Sequence, residues 1–203
     1  MRRTPFGRHS VESLPVSQCP APNLVIISRF ELSHNPKTGK IHVVSKENPV
    51  CPRCHQSMVF RDTCVRGGLS IEGKCQQYVI RRLECPSCKA VHRELPDILF
   101  PYKHYETDVI QSVIVGRADG CAADESTIQR WKRQWRTRKA RLLVVLAGLL
   151  AQTSGSVPKL VGRRQDIFLS IRQLHPRWLA FVLRLLTAGN VPLYTQFAFC
   201  HSP

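Results

Sequence analysis

The spacing of apolar residues changes near position 105. From residue 24 to 95, apolar positions fall in short β-branched or alternating runs, the pattern of strands. Residues 24–32 and Ile41–Ser45 flank the turn-forming Asn35-Pro36-Lys37-Thr38-Gly39 and predict a hairpin. Residues 58–64 and 76–84 predict two further strands, joined through Gly67-Gly68 and Glu72-Gly73-Lys74, and residues 91–95 predict another. Pro96 and Pro101 bracket an extended connector. Beyond it the period becomes helical. Val109, Ile110, Val113 and Ile114 predict one helix starting at Thr107 or Asp108. Asp124 can cap a second, with Ile128, Trp131 and Trp135 as its apolar stripe. Residues 142–150 are apolar on nearly every side and predict a buried or docking helix, broken over 153–158. Ile167, Phe168, Ile171 and Leu174, then Trp178, Val182, Leu185 and Leu186, predict the last two helices, with Pro176 opening the second and Gly189 closing it.

These patterns predict an α+β chain: a small β zinc ribbon followed by an all-α helix-turn-helix and C-terminal helices. The expected divisions are a flexible basic arm (1–23), the ribbon domain (24–103), a helix-turn-helix-like segment (104–141), C-terminal helices (142–190) and a tail (191–203).

Two cysteine pairs give the ribbon its chemistry. Cys51-Pro52-Arg53-Cys54 and Cys85-Pro86-Ser87-Cys88 are both C-x-x-C. A structural zinc ion takes four soft ligands, and two such knuckles supply four thiolates from two tight turns. Two redox dithiols or a disulfide framework would use the same residues, but neither pair has the β-α setting of a thioredoxin-like dithiol. One structural Zn²⁺ is therefore expected. His55 and His92 stand beside the knuckles as possible substitute ligands. Cys64 and Cys75 could form a second metal pair, although their step is not a knuckle, and buried thiols are the expected reading.

Charge then sets the partner. The chain has 30 Lys and Arg against 14 acids, a net charge of +16. So large an excess suits an anionic partner, with DNA ahead of a membrane surface. The excess is clustered: residues 126–141 contain seven basic residues and no acid. At about 100° per residue, Gln129, Lys132, Arg133 and Arg136 point away from the tryptophan stripe. With Arg130 they are the expected DNA contacts; Arg81, Arg82 and Arg93, flanking the second knuckle, could meet phosphates. Tyr78, Phe60 and Tyr102 could stack on bases, but ribbon core is the favoured reading. The same helix could instead be a bundle helix with a solvated basic face.

No enzyme is expected. Two-metal phosphoryl chemistry needs converging carboxylates, yet Asp97, Glu106, Asp108, Asp119, Asp124 and Glu125 read as connector and cap residues. The longest apolar run, 142–151, is ten residues, against about 20 for a spanning helix, so no membrane partner is expected. No apolar stretch of a secretory signal follows the basic opening residues, and the unpaired cysteines suit a reducing compartment, most simply bacterial cytoplasm, at the nucleoid, or a nucleus.

The string I-R-R-L-E-C-P-S-C-K-A-V-H-R-E-L-P-D-I-L-F-P-Y-K-H-Y, residues 80–105, resembles the bacterial, mobile-element-associated domain of unknown function 6431 family. Residues 50–135 are also similar to the N-terminal zinc ribbon and helix-turn-helix of insertion-sequence transposases, with Ser126-Thr127-Ile128-Gln129-Arg130-Trp131 where the helix would stand. The resemblance implies Cys51, Cys54, Cys85 and Cys88 as zinc ligands. His55 and Lys89 depart from it, standing where knuckles often have glycine. No catalytic domain follows, so transposase activity is not implied. The expectation is a DNA-binding accessory protein or regulator. The alternative is an adaptor that docks a transposase or polymerase through the ribbon and the apolar C-terminal helices.

Overall fold

The computed structural model describes residues 23–117, 120–154 and 164–191. The expected arm and tail lie almost wholly outside them. The described elements are β1 (Leu24–Ile27), β2 (Phe30–His34), β3 (Ile41–Ser45), β4 (Val59–Leu69), β5 (Cys75–Glu84), β6 (Val91–Pro96), α1 (Thr107–Ile114), α2 (Glu125–Ser154), α3 (Arg164–Leu174) and α4 (Trp178–Ala188).

All six strands join one mixed sheet, and β5 is its hub. β4 lies antiparallel along β5 from Val59↔Glu84 to Leu69↔Cys75, with an irregularity between Phe60 and Asp62. The other edge of β5 is shared. Ile41 and His42 of β3 pair parallel with Tyr78 and Val79, and Val91–Arg93 of β6 pair antiparallel with residues 82–84. β1 then pairs parallel with β6, from Leu24↔Arg93 to Ile27↔Pro96.

This corrects the expected fold class. The β part is a six-stranded mixed sheet rather than a small ribbon, and the helices form no separate all-α helix-turn-helix unit behind it. Burial is the reason. β1 is buried on both faces: Leu24 and Ile26 enter the core built by the helices, while Ile27 joins Val43, Tyr78, Ile80, Leu95 and Leu99 inside the sheet. A single short strand therefore stitches both layers together, and burying its four apolar side chains is worth several kcal/mol at about 1.5–3 each. Residues 115–124 separate α1 from α2, whereas a helix-turn-helix turn has about 3–4 residues. α2 also runs unbroken through position 142, where a division was expected. Its length follows from its packing: Trp131 meets Tyr105, and Trp135 meets Phe168 and Trp178.

The predicted hairpin is shorter than its apolar run. Residues 24–32 divide at Ser28, because the Glu47 carboxylate accepts the Ser28 and Arg29 amides at 2.8 and 2.7 Å. Only β2 pairs with β3, around the Asn35–Gly39 turn. Gly67 and Gly68 are not the turn between β4 and β5 but lie within β4. A Cβ on Gly68 would come within 2.7 Å of Leu99 and 3.1 Å of Tyr78, so any side chain there would have to displace core neighbours. The reversal comes at residues 70–74, with Gly73 at φ 77°.

Candidate metal centre and basic helix face

The two knuckles are built alike. In the first, the His55 amide donates to the Cys51 carbonyl at 2.8 Å and the Cys51 amide to the Gln56 carbonyl at 2.9 Å. In the second, the Lys89 amide donates to the Cys85 carbonyl and the Cys85 amide to the Ala90 carbonyl, both at 2.9 Å. Each turn closes through a left-handed residue, His55 at φ 60° and Lys89 at φ 57°. These are the two positions where glycine was expected and is missing. The sheet brings the turns together: Val50 bridges Ser57 beneath the first, and β5 leads into the second.

The sulfurs of Cys51, Cys54, Cys85 and Cys88 all lie within 4.8 Å of one another. Cys54 and Cys85 approach to 3.3 Å, and Cys51 and Cys88 to 3.6 Å. A disulfide would need about 2.05 Å. Tetrahedral thiolates around zinc, at about 2.3 Å from the ion, sit about 3.8 Å apart, so the donor set fits a metal ion. Protonation tells the same story. Burial pushes the Cys51 thiol up. The Gln56 amide pulls the Cys54 thiol down, but the Cys85 sulfur, desolvation and the sulfurs of Cys88 and Cys51 outweigh it and push it up to about 12. The Cys88 amide holds Cys85 down to about 6. Four adjacent thiols cannot all ionise unaided; a dication would stabilise all four as thiolates.

His92, buried in β6, places Nε2 at 3.4 Å from Cys51 Sγ, beside the cluster rather than in it. His55 is exposed. Cys64 is half-buried and Cys75 exposed, and neither belongs to the cluster. Tyr78 is core, as favoured, whereas Phe60 and Tyr102 are exposed.

The predicted DNA contacts divide into two sets. Arg81 forks onto Glu94, with both bonds at 2.6 Å and Glu94 buried. Arg82 forks onto Asp62 with both bonds at 2.5 Å. These arginines tie strands together, and the side chains opposite them gave no signal before the register was known. Gln129, Arg130, Arg133 and Arg136 instead lie exposed on α2, with Lys132 half-buried beside them. Gln129 donates to Glu125 and Arg130 to Thr127. Among the described residues, no carboxylate pairs with any of the seven cations between Arg130 and Arg141. Asp124 caps the helix as expected, accepting the Thr127 amide at 2.8 Å.

Other acids weighed for catalysis are engaged as well. Asp97 and Asp108 share Arg177, and Glu106 accepts from the Tyr78 hydroxyl at 2.8 Å. Asp119 lies outside the described residues. Among the described residues no helix is long and apolar enough to cross a membrane.

Residues 51–131 match the family model of a domain of unknown function, DUF6431. The DUF6431 match begins on the first knuckle cysteine and ends on buried Trp131. It therefore takes in both knuckles, β4 to β6, α1 and the opening turns of α2. Gln129 and Arg130 fall inside it; Lys132, Arg133 and Arg136 fall beyond it. No curated protein and no solved structure matches the chain.

Proposed function

We propose that this protein binds DNA through the exposed basic face of α2, on a scaffold held by one structural zinc ion at Cys51, Cys54, Cys85 and Cys88, and that it has no catalytic activity of its own. The observation that carries this reading is the contrast between arginines. In the sheet and at α4, Arg81, Arg82, Arg177 and Arg184 are each matched to a carboxylate. Along α2, Arg130, Arg133, Arg136 and Arg141 face solvent unmatched. Phosphates would supply the missing anions. In that reading His92 donates Nε2–H to the Cys51 thiolate, a bond that fixes a ligand from outside the metal shell. The mobile-element setting implied by residues 80–105 belongs to the same proposal, as does a location at the bacterial nucleoid.

A salt titration tests the helix. If the four exposed arginines each neutralise one phosphate, log K should fall with log salt at a slope of about −3.6, and Arg133→Gln with Arg136→Gln should halve it. A slope near zero would refute the DNA reading. Metal analysis tests the scaffold: about one zinc per chain, lost in Cys85→Ser together with the fold of residues 51–95. Metal-free protein that folds normally in chelator would refute it.

The adaptor reading, docking a transposase or polymerase, is supported by exposed apolar side chains. Val59 and Phe60 are exposed near the start of β4, whose pairing is with β5. The C-terminal helices divide: Leu142, Leu143 and Leu146 turn inward, whereas Val144, Leu169 and Leu174 are exposed.

A further inference from the structure

Two arginines of the sheet differ from Arg81 and Arg82 in having no carboxylate. Cross-strand partners share a face, and so do alternate residues along a strand. The registers Leu24↔Arg93, Arg93↔Arg82, Ile80↔Cys64 and Tyr78↔Arg66 therefore bring Arg93, Arg82, Cys64 and Arg66 to one side of the sheet. There Arg82 is matched by Asp62. Arg66 and Arg93 line a cavity of about 160 Å³ with Leu24, Cys64, Leu95 and Tyr102, and none of its lining residues is acidic. Arg66 donates Nη2 to the Lys103 carbonyl at 2.7 Å, which fixes the plane of its guanidinium and leaves further N–H groups. Burial, and then the charge of Arg93, hold Arg66 below the usual arginine range. Half-buried Arg66 and exposed Arg93 thus line one pocket with no internal counter-charge, an arrangement that an oxyanion would relieve.

We propose that this cavity is an anion site for a phosphate group, held between Arg66 and Arg93 and flanked by the Tyr102 ring. The phosphate could be free, on a mononucleotide, or in a single-stranded backbone whose base stacks on Tyr102. The site shares no residue with the basic face of α2 and stands or falls separately from it.

The test titrates the zinc-loaded full chain with inorganic phosphate, thymidine monophosphate and a six-nucleotide oligothymidylate, following the arginine Nε–H signals by NMR. All three arms use an Arg133→Glu, Arg136→Glu background, so that α2 does not compete. Saturable shifts at Arg66 and Arg93 from any arm support the site, and the tightest arm identifies the source of the phosphate. Arg93→Gln should weaken that binding about tenfold or more. It should leave the fold intact, because Arg93 makes no side-chain hydrogen bond or ion pair among the described residues. Arg66→Lys, which keeps the charge but not the fork, should weaken it less than Arg66→Gln. No saturable shift in any arm, or binding unchanged in Arg93→Gln, would overturn the site.

Discussion

His55 and Lys89 hold left-handed backbone at φ 60° and 57°, at equivalent points of the two knuckles, and glycine is the substitution that measures the cost. A residue with a Cβ loses about 1–2 kcal/mol in that region. Glycine removes that penalty but has more freedom in the unfolded chain, which returns about 0.5–1 kcal/mol. Both side chains are exposed, and neither makes a side-chain hydrogen bond or ion pair among the described residues, so little packing is lost. His55→Gly and Lys89→Gly should therefore each stabilise the protein by about 0.5–1 kcal/mol, and the pair by about 1–2. The assay is urea unfolding at a fixed free zinc concentration, since metal bound only to the folded state adds its own stability. His55→Ala and Lys89→Ala serve as controls: they remove the same side chains, keep the Cβ and should be nearly neutral. Equal effects at the two knuckles would follow from their shared hydrogen-bond pattern, and a double variant that departs from the sum would measure coupling through the cysteine cluster. If glycine destabilises either site by more than about 0.5 kcal/mol while alanine does not, left-handed strain is not what these positions store.

Arg81→Ala should cost about 2–3 kcal/mol in the same urea assay, because it strands the buried Glu94 carboxylate, while water screens Arg81 itself, which is about one-third exposed. Loss of less than about 0.5 kcal/mol would mean that the fork contributes nothing net. Asp124 gives a pH prediction. The Ser126 hydroxyl and then the Thr127 amide hold its carboxyl down to about 2, below the usual aspartate value of about 3.9. A carboxyl lowered in the folded state stabilises above its unfolded pKa and stops doing so as pH falls through its folded one. The first turn of α2 should therefore loosen between about pH 4 and 2, read as faster exchange of the Thr127 amide. Asp124→Asn should abolish that step, and an unchanged step would place the titration elsewhere.

Local chemistry was legible in the sequence and long-range pairing was not. The knuckles, the Asn35–Gly39 turn, the start of α1, the Asp124 cap and the Ile128, Trp131 and Trp135 stripe all depend on residues a few positions apart, and each is where its spacing placed it. The fold class failed because it turns on β1. Leu24 to Ile27 read as one half of a local hairpin, yet they pair parallel with residues about seventy positions later. A strand buried on both faces carries no alternation that could announce such a partner. Gly67-Gly68 misled for a related reason: glycine marks a turn and a close approach alike, and only the position of Leu99 separates them. The basic face of α2 was readable from helical period alone, whereas the roles of Arg81 and Arg82 waited on Glu94 and Asp62 across the strands.

The placement of β1 also decides what can fold alone. The family match starts at Cys51, but a fragment cut there would lose β1, β2 and β3. Leu95 and Ile80 would lose Ile27 and Val43 as neighbours, and the edge of β6 would be left open. An open strand edge beside bared apolar side chains is an aggregation template. The cooperative unit thus begins at least 27 residues before the recognisable domain, with β1 made before β6 and waiting for it. Its slowest folding event should be the closing of that loop, with the metal knuckles formed inside it.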